Sequence, residues 1–216
     1  MLALALPVEP GRAAARRVDA HGYVQLVSDY RYRGLSLSRG RPALQGEIEA
    51  HRDGWFAAGW ASLSGSGRAG SELDLPFGRR GRVAGFDLRV SARAQIYNNA
   101  GDPRSVELIG EAGRKIGPIR FDVELAYTPR QSGGGPDNVY FGGQAAAPIP
   151  GTAISLHVRG GIENGYFRRK RDWAAGVSAP VGPVTFAASV IGVSGTDVGN
   201  RHGDTSLLLS VGRSWW

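Results

Sequence analysis

Alternation between apolar and polar side chains is the feature that most constrains the fold of this chain. From Phe86 to Tyr97 apolar residues occupy the even positions, while charged and polar residues occupy the odd ones. The segment from Ile119 to Thr128 repeats the pattern with the parity reversed. Successive side chains of a β-strand point to opposite faces, so this period of two predicts strands with one apolar and one polar face.

Weaker alternation and Gly/Ala-rich apolar runs extend the count to about twelve strands, with about ten as the fallback. The segment 72–77 is a weak point because Pro76 removes a backbone donor, and the run near Val139 is another because it is Gly-rich. The predicted strands are residues 21–33, 44–51, 55–63, 72–77, 86–97, 106–111, 119–128, 139–146, 154–159, 173–179, 184–193 and 207–216.

The connections between these strands alternate in length. Both chain ends fall on the side of the short connections. A transmembrane barrel has short periplasmic turns at one end and longer outer loops at the other, which produces this alternation in length. A soluble sandwich is not expected to separate its connections by length. The sequence therefore predicts an all-β fold, a single antiparallel transmembrane β-barrel. The long connections are residues 34–41, 64–70, 98–104, 129–137, 161–171 and 194–204, and the short ones are 51–54, 79–82, 114–117, 148–151 and 180–183.

Alternation alone does not separate a soluble barrel from a membrane barrel, because only the side that faces water differs. Aromatic residues near predicted strand ends favour the membrane barrel, whose outer face carries interfacial aromatic girdles. Mixed charges on the polar faces suit pairing across a narrow lumen. The predicted girdle residues are Tyr30, Tyr32, Tyr127 and Trp215.

Composition excludes several other classes of protein. No segment approaches the run of about 18 apolar residues that a transmembrane helix needs. The net charge of +7 raises the question of nucleic-acid binding, but the basic residues cluster in predicted connections, and all except Lys115 and Lys170 are arginine. This distribution argues against a nucleic-acid partner. The absence of cysteine slightly favours an exported location.

The N-terminal segment differs from the rest of the chain. An apolar run followed by Ala13, Ala14 and Ala15 resembles the end of a secretory signal with its small-residue cleavage site. A positively charged start is missing, so the alternative is a disordered tail. We therefore divide the chain into residues 1–18, a signal remnant or tail, and residues 19–216, the outer-membrane barrel.

Three stretches resemble a known family. Residues 27–34 read VSDYRYRG, residues 42–46 read PALQG, and residues 59–62 read GWAS. Together they resemble the opening of the TorF-like porin family, a group of poorly characterised proteobacterial outer-membrane barrels. ELDL at 72–75 and SVGRSW at 210–215 are similar to later parts of that family. The resemblance implies a location in the bacterial outer membrane and leaves the cargo open.

The polar faces supply the candidate lumen residues. In the first predicted strand, Asp29, Arg31 and Arg33 share one face, and lipid exposure of three charges would be prohibitive. The next strand offers Glu47 and Glu49 as expected carboxylate partners. Such a row either lines a conducting pore or braces the wall with ion pairs, and both alternatives stay open. The predicted lumen-lining residues are Asp29, Arg31, Arg33, Glu47, Glu49, Asp87, Arg89, Arg93, Arg120, Asp122 and Glu124.

Other kinds of site find little support. The histidines are scattered without the spacing of a metal motif, so no metal or cofactor is predicted. Ser155 and His157 share a predicted strand face, but no nucleophile motif accompanies them. We predict that the protein is not an enzyme and has no catalytic residues.

Two functions remain, a channel for small hydrophilic solutes and a non-conducting envelope barrel that serves as a scaffold or interaction surface. About twelve strands lie between the eight of filled barrels and the sixteen of open porins, so a pore would be narrow. Expected partners are outer-membrane lipids, lipopolysaccharide contacted by the basic outer loops, and the barrel-assembly machinery. The terminal pair Trp215 and Trp216 is the predicted assembly signal.

Overall fold

The computed structural model describes residues 18–64, 70–98, 104–130, 136–165, 169–195 and 204–215. Within these ranges twelve antiparallel strands close into one barrel, which confirms the predicted fold class. Two shorter strands, β2 (Arg31–Tyr32) and β3 (Leu35–Ser36), pair only with each other. The barrel strands are β1 (Asp19–Val27), β4 (Ala43–Arg52), β5 (Trp55–Leu63), β6 (Ser71–Val83), β7 (Phe86–Tyr97), β8 (Arg104–Ile116), β9 (Ile119–Thr128), β10 (Asn138–Pro148), β11 (Ser155–Asn164), β12 (Lys170–Val181), β13 (Val184–Ser194) and β14 (Ser206–Trp215).

Each barrel strand pairs with its neighbour in the sequence, and the barrel closes where β1 pairs with β14. The short connections lie at one end of the barrel and the long ones at the other, as predicted. Parts of the long connections, residues 1–17 and Trp216 lie outside the described residues. In the described part of the chain, no helix has the length and hydropathy needed to cross a membrane.

The outer face of the barrel is apolar. Val90 is 65 % exposed and Leu125 is 54 % exposed on this face, although both are large hydrophobic side chains. Tyr127 and Trp215 also lie on the outer face. In water such a surface would be unstable, whereas in lipid it is the expected arrangement. Further exposed residues of the outer face are Phe86, Leu88, Phe121 and Val123, and Ile119 on the same side is half-buried.

Several strands are longer than the alternation predicts. β6 continues through the predicted connection at 79–82 to Val83, and the turn falls instead at Ala84 and Gly85, whose φ angles of 51° and 81° are both positive. A two-residue turn of this kind matches the twist of the two strands that it joins. Pro76 lies inside β6 and pairs with Arg93 of β7. The strand tolerates it because a proline removes the ladder bond on one side only.

The main departure concerns the first strand. β1 ends at Val27, not at residue 33, and the chain turns into the barrel instead of continuing along the wall. We call residues 28–42 the inner hairpin. Tyr30 is only 2 % exposed, and Tyr32 is half-buried. The prediction that these two tyrosines belong to the lipid-facing girdle is therefore wrong.

Candidate channel lumen

The inner hairpin begins and ends at neighbouring points of the wall. Val27 of β1 and Ala43 of β4 are register partners, so residues 28–42 form a closed excursion between two paired strands. Arg33 and Gly34 form the two-residue turn between β2 and β3, with φ angles of 47° and 84°. Positive φ at both turn positions is typical of a tight β-hairpin, and Gly34 accepts it without strain. A side chain at Gly34 would also collide with Val193, because an added Cβ would lie 2.9 Å from that residue's Cβ.

Asp29 organises the base of the hairpin. Its Oδ1 accepts hydrogen bonds from the Ser36 hydroxyl at 2.6 Å, the Ser38 hydroxyl at 2.8 Å and the Gly40 amide at 3.1 Å. Its Oδ2 accepts from Arg31 Nε at 2.6 Å. A carboxylate that accepts this many bonds holds both arms of the hairpin together. The polar residues of this segment thus shape the hairpin before any contact with a solute is considered.

Arg33 occupies the centre of the filled part of the lumen. Its Nη2 lies 2.9 Å from Glu107 Oε1 and 3.0 Å from Glu124 Oε1, and its Nη1 lies 3.9 Å from Glu163 Oε1. The guanidinium also stacks over the Tyr140 ring, 4.0 Å from the centroid. The Arg33 side chain is 3 % exposed. One buried cation therefore links carboxylates from three different wall strands, a role that suits the planar fork of arginine.

The two tyrosines of the hairpin fasten it to the opposite wall. Tyr30 packs against Trp60, with ring centroids 5.6 Å apart, and donates a 2.6 Å hydrogen bond to Glu72. Burial, followed by the charge of Glu72, raises the pKa of Tyr30 well above its ordinary value, so the phenol stays protonated as the donor. Tyr32 donates to Glu107 at 3.2 Å and accepts from Arg93 at 2.8 Å.

These contacts reach most of the barrel circumference, since the hairpin touches every strand from β5 to β14. Space remains beside it near β1 and β14, where a cavity of about 20 Å³ has room for about one water molecule. The hairpin therefore fills the end of the lumen that carries the long connections. The wall residues that it contacts include Trp60, Glu72, Arg93, Glu107, Glu124, Tyr140, Glu163, Lys170, Val193 and Ser206.

The predicted partners of the arginine row are wrong. The row was expected to pair with Glu47 and Glu49 on the adjacent strand. Because the chain leaves the wall after Val27, Arg33 reaches the far side of the barrel instead, and Arg31 turns back to Asp29 and to the backbone oxygen of Asp204. The alternate positions that look like one strand face thus lie in the bend before β2 (Asp29), in β2 itself (Arg31) and in the turn that follows it (Arg33).

The other end of the lumen, toward the short turns, has a different charge network. Glu49 lies 2.7 Å from Arg89 and 3.1 Å from Arg80, and Arg89 also lies 3.3 Å from Glu111. The arginine side chains are about a quarter exposed, at 28 % and 26 %, and Glu111 is 43 % exposed. The two arginines and Glu111 therefore remain in contact with solvent, whereas the Glu49 side chain between them is only 2 % exposed.

A second group of charges lies on β7 and β9 at the same end. Arg120 Nη1 lies 2.6 Å from Asp87 Oδ2, and Arg120 Nη2 lies 2.6 Å from Asp122 Oδ1. Gln144 donates to Asp122 at 3.4 Å. Nothing from the inner hairpin reaches this group among the described contacts, so the hairpin does not fill this part of the barrel. Glu47 of β4 lies on the same inward face as Glu49 and is half-buried.

Several residues of the hairpin network were not predicted. Lys170 contacts Glu163 and donates to the Arg33 backbone oxygen at 2.9 Å, and Arg159 lies 3.3 Å from Asp172. Lys170 was assigned to the long connection 161–171, and Asp172 was placed just before the strand predicted from Trp173, whereas β12 begins at Lys170. Glu107 lies in a weakly alternating segment, and the alternation of acidic with apolar residues around it was the available signal. Glu163 was assigned to the long connection 161–171, whereas β11 continues to Asn164. The remaining unpredicted acids of this network are Glu72 and Asp74.

Potential metal ligands also meet at the short-turn end, although none was predicted. His21 of β1 and Glu49 of β4 are register partners, and so are Asp19 and His51. One ligand atom each from His21, Glu49 and His51 lies within 4.8 Å of the others. Metal motifs are recognised by ligands a few residues apart in the sequence. They miss this set because its members lie on two paired strands that are separated in the sequence by the whole inner hairpin.

Comparison with solved structures supports the fold. The NanC porin matches with a TM-score of 0.57 and 8 % identity, covering 93 % of this chain and 100 % of the porin. A KdgM porin in complex with disordered oligogalacturonate matches with a TM-score of 0.59 and 10 % identity, covering 92 % of this chain and 100 % of the porin. At such low identity the likeness shows a barrel of the porin type and no more.

Sequence comparisons assign the chain to a family. A search of curated protein sequences finds no significant match. A family model described as a bacterial protein of unknown function, Gcw_chp, matches residues 12–213, which is nearly the whole chain. The protein therefore belongs to the Gcw_chp family.

Proposed function

We propose that this protein is an outer-membrane channel that passes small hydrophilic solutes through a lumen narrowed by the inner hairpin. The observation that carries the proposal is a closed barrel with an apolar outer face, a charged interior and a chain segment folded inside it. A lipid-facing apolar belt around a polar interior is what a barrel needs to offer water and solutes a route across a membrane.

The inner hairpin supplies the constriction. It enters from the side of the long connections and crosses to the opposite wall, where Arg33 meets Glu107 and Glu163. Toward the short turns, the partly exposed side chains of Arg89 and Arg120 support a lumen that solvent can enter. A solute would pass a narrow, charged segment and then a wider, mixed-charge segment. Such a pore selects first by size and then by charge.

The setting of the channel follows from the same fold. The porin-like barrel supports a place in the bacterial outer membrane, in keeping with the resemblance of VSDYRYRG to the TorF-like family. We propose that Trp215, which ends β14 on the outer face, belongs to the signal read by the barrel-assembly machinery. Its neighbour Trp216, the other residue of the predicted signal, lies outside the described residues. Lipopolysaccharide remains the expected contact of the basic outer loops.

Single-channel recording of the refolded protein in planar bilayers tests the proposal. The informative variant replaces residues 28–42 with a short Gly-Ser turn, which is possible because Val27 and Ala43 already face each other in register. We expect small, discrete conductance steps from the wild type and larger steps from the short-turn variant. Silence from both proteins, with folding verified by circular dichroism, would refute a channel.

A second function is favoured by one specific observation. The hairpin contacts every strand from β5 to β14, and its central Arg33 is almost fully buried. A segment fixed this firmly can close the barrel, in which case the protein is a non-conducting scaffold or surface protein. The same recording separates the two functions, since a plugged barrel is silent as wild type and conducts only as the short-turn variant.

A further inference from the structure

We propose that the short-turn mouth of the barrel binds one zinc ion between β1 and β4, through His21, His51 and Glu49, with Asp19 as a fourth ligand. The donor set of two imidazoles and two carboxylates is one that zinc prefers. The ligands come from two adjacent strands whose register brings them together, because His21 pairs with Glu49 and Asp19 pairs with His51. Strand pairing thus assembles the site.

The distances suit a tetrahedral ion. A tetrahedron with metal–ligand bonds of about 2.1 Å has edges of about 3.4 Å. His51 Nε2 lies 3.5 Å from Asp19 Oδ2, and His21 Nε2 lies 3.9 Å from Glu49 Oε1. One ligand atom each from His21, Glu49 and His51 lies within 4.8 Å of the other two, and Asp19 is outside this group of three. Binding one ion would therefore require the side chains to rotate toward it from these separations.

The surroundings leave the imidazoles free to bind. The two rings lie side by side, with centroids 5.9 Å apart, and are tilted by 59°. His51 Nδ1 is buried and has no hydrogen-bond partner among the described residues. The side chains of His21 and His51 are 21 % and 25 % exposed, so an ion can reach them from the mouth of the barrel.

Two arginines next to Glu49 shape the site as well. Arg89 holds Glu49 Oε2 at 2.7 Å, which directs the other oxygen toward His21. Arg80 lies 3.1 Å from that second oxygen, so zinc has to displace this contact. Arg80 is 26 % exposed and has room to turn toward solvent. Arg89 would remain as an outer partner that orients a ligand carboxylate, a common arrangement around metals.

A bound ion would tie β1 to β4 at the end of the barrel where the described chain starts. Anything that binds the folded protein alone raises its stability by mass action. We therefore expect zinc to raise the unfolding temperature of the barrel. This expectation does not depend on conduction, since a silent barrel would bind zinc equally well.

Isothermal titration of the refolded, untagged full chain with zinc chloride tests the site. We expect one zinc per barrel for the wild type. His21→Ala and His51→Ala should each weaken binding by more than about tenfold, the loss typical for disturbed metal sites. Cobalt substitution should give the intense visible absorption of a tetrahedral ion in the wild type and lose it in both variants.

His157 is the matched control. It also points into the lumen, but its Nε2 is engaged with the Ser189 hydroxyl at 2.9 Å, away from Asp19 and Glu49. His157→Ala should bind zinc like the wild type, and so should His202→Ala, whose position lies outside the described residues. Should either alanine variant at 21 or 51 fail to fold, the matching glutamine variant replaces it. Absence of zinc binding by the wild type, or binding that survives loss of both His21 and His51, would overturn the proposal.

Discussion

The two ends of the lumen use the same side chains in different surroundings. At the hairpin end, Arg33 and Glu107 pair with side chains only 3 % and 2 % exposed. At the short-turn end, Arg120 pairs with Asp87 at 2.6 Å, yet these side chains are 30 % and 26 % exposed. The contact distances are similar, so burial is the difference. Buried pairs can fix a shape, whereas half-exposed pairs stay available to water and solutes.

The difference in burial bears on whether the lumen charges brace the barrel or line a conducting pore. The charges that were expected to act as one lumen lining divide into two groups. Asp29, Arg31 and Arg33 brace the inner hairpin, and they are among the least exposed charged residues described. Arg89 and Arg120 lie where a solute could meet them. We expect the two groups to respond differently to substitution.

The largest effect should follow Arg33→Ala. Removing one partner of a buried ion pair costs about 3–5 kcal/mol. Glu107 keeps Arg93 and Glu163 keeps Lys170, but both lose the cation that joins them, so we expect the lower end of this range. We expect a loss of this size in the free energy of unfolding, measured by urea titration in detergent micelles. The hairpin should also leave its place, so conductance should rise toward that of the short-turn variant.

Arg39→Ala is the control for this change. Arg39 lies in the same hairpin and is exposed, so its loss should alter the unfolding free energy by less than about 0.5 kcal/mol. If Arg33→Ala and Arg39→Ala were equally stable, the contrast between the two ends of the lumen would have no energetic basis.

An intermediate effect is expected for Val123→Arg on the outer face. Val123 lies in the middle of β9 and is 45 % exposed toward the lipid side. A charge near the midplane costs about 2–4 kcal/mol. Refolding into lipid vesicles measures the loss. Gln144→Arg is the matched control, because Gln144 faces inward beside Asp122 and should accept the charge. Equal tolerance of both arginines would contradict the assignment of faces.

A smaller effect is expected for Arg120→Ala. The pairs of Arg120 with Asp87 and Asp122 are half-exposed, and exposed pairs contribute about 0.2–1 kcal/mol. The two pairs together set an upper bound of about 2 kcal/mol on the fall in the unfolding free energy, and added salt should reduce the difference further. A loss as large as that of Arg33→Ala would show that burial does not distinguish the two ends.

The barrel itself was predictable from the sequence for a physical reason. Alternation at Phe86–Tyr97 and Ile119–Thr128 reports which face is apolar, and the lengths of connections report which end they occupy. Both signals are local. Strand ends were less accurate, as at Val83, because a strand continues while its neighbour offers hydrogen bonds, whatever the alternation does.

The inner hairpin was not predictable in the same way. The segment from Asp29 to Arg33 continues the alternation of β1. A wall strand and a hairpin strand both show a period of two, so the pattern does not distinguish them. Gly34 and the serines that follow it were the local sign of a turn. Whether the chain continues along the wall or turns into the barrel after Val27 depends on Glu107 and Glu163. These residues are distant in sequence and meet Arg33 only in the closed barrel.

The smallest expected effect concerns charge selection at the short-turn end. Arg80 and Arg89 face Glu49 and Glu111 on this stretch of wall, so the two signs of charge balance there. Glu111 is 43 % exposed, and at physiological ionic strength its field is screened within about 8 Å. Removing that charge should make the pore slightly less favourable to cations and change the unfolding free energy by less than about 0.5 kcal/mol.

Reversal potentials in a salt gradient measure this change for Glu111→Gln, in the wild-type background if it conducts and otherwise in the short-turn variant. Arg114→Gln is the control on the same strand, because Arg114 is exposed on the outer face and stacks over Phe86, 5.1 Å from the ring centroid. The control should leave the reversal potential unchanged. If Glu111→Gln also left it unchanged, the half-exposed charges at this end would have no part in selecting ions, and the lumen would discriminate at the inner hairpin alone.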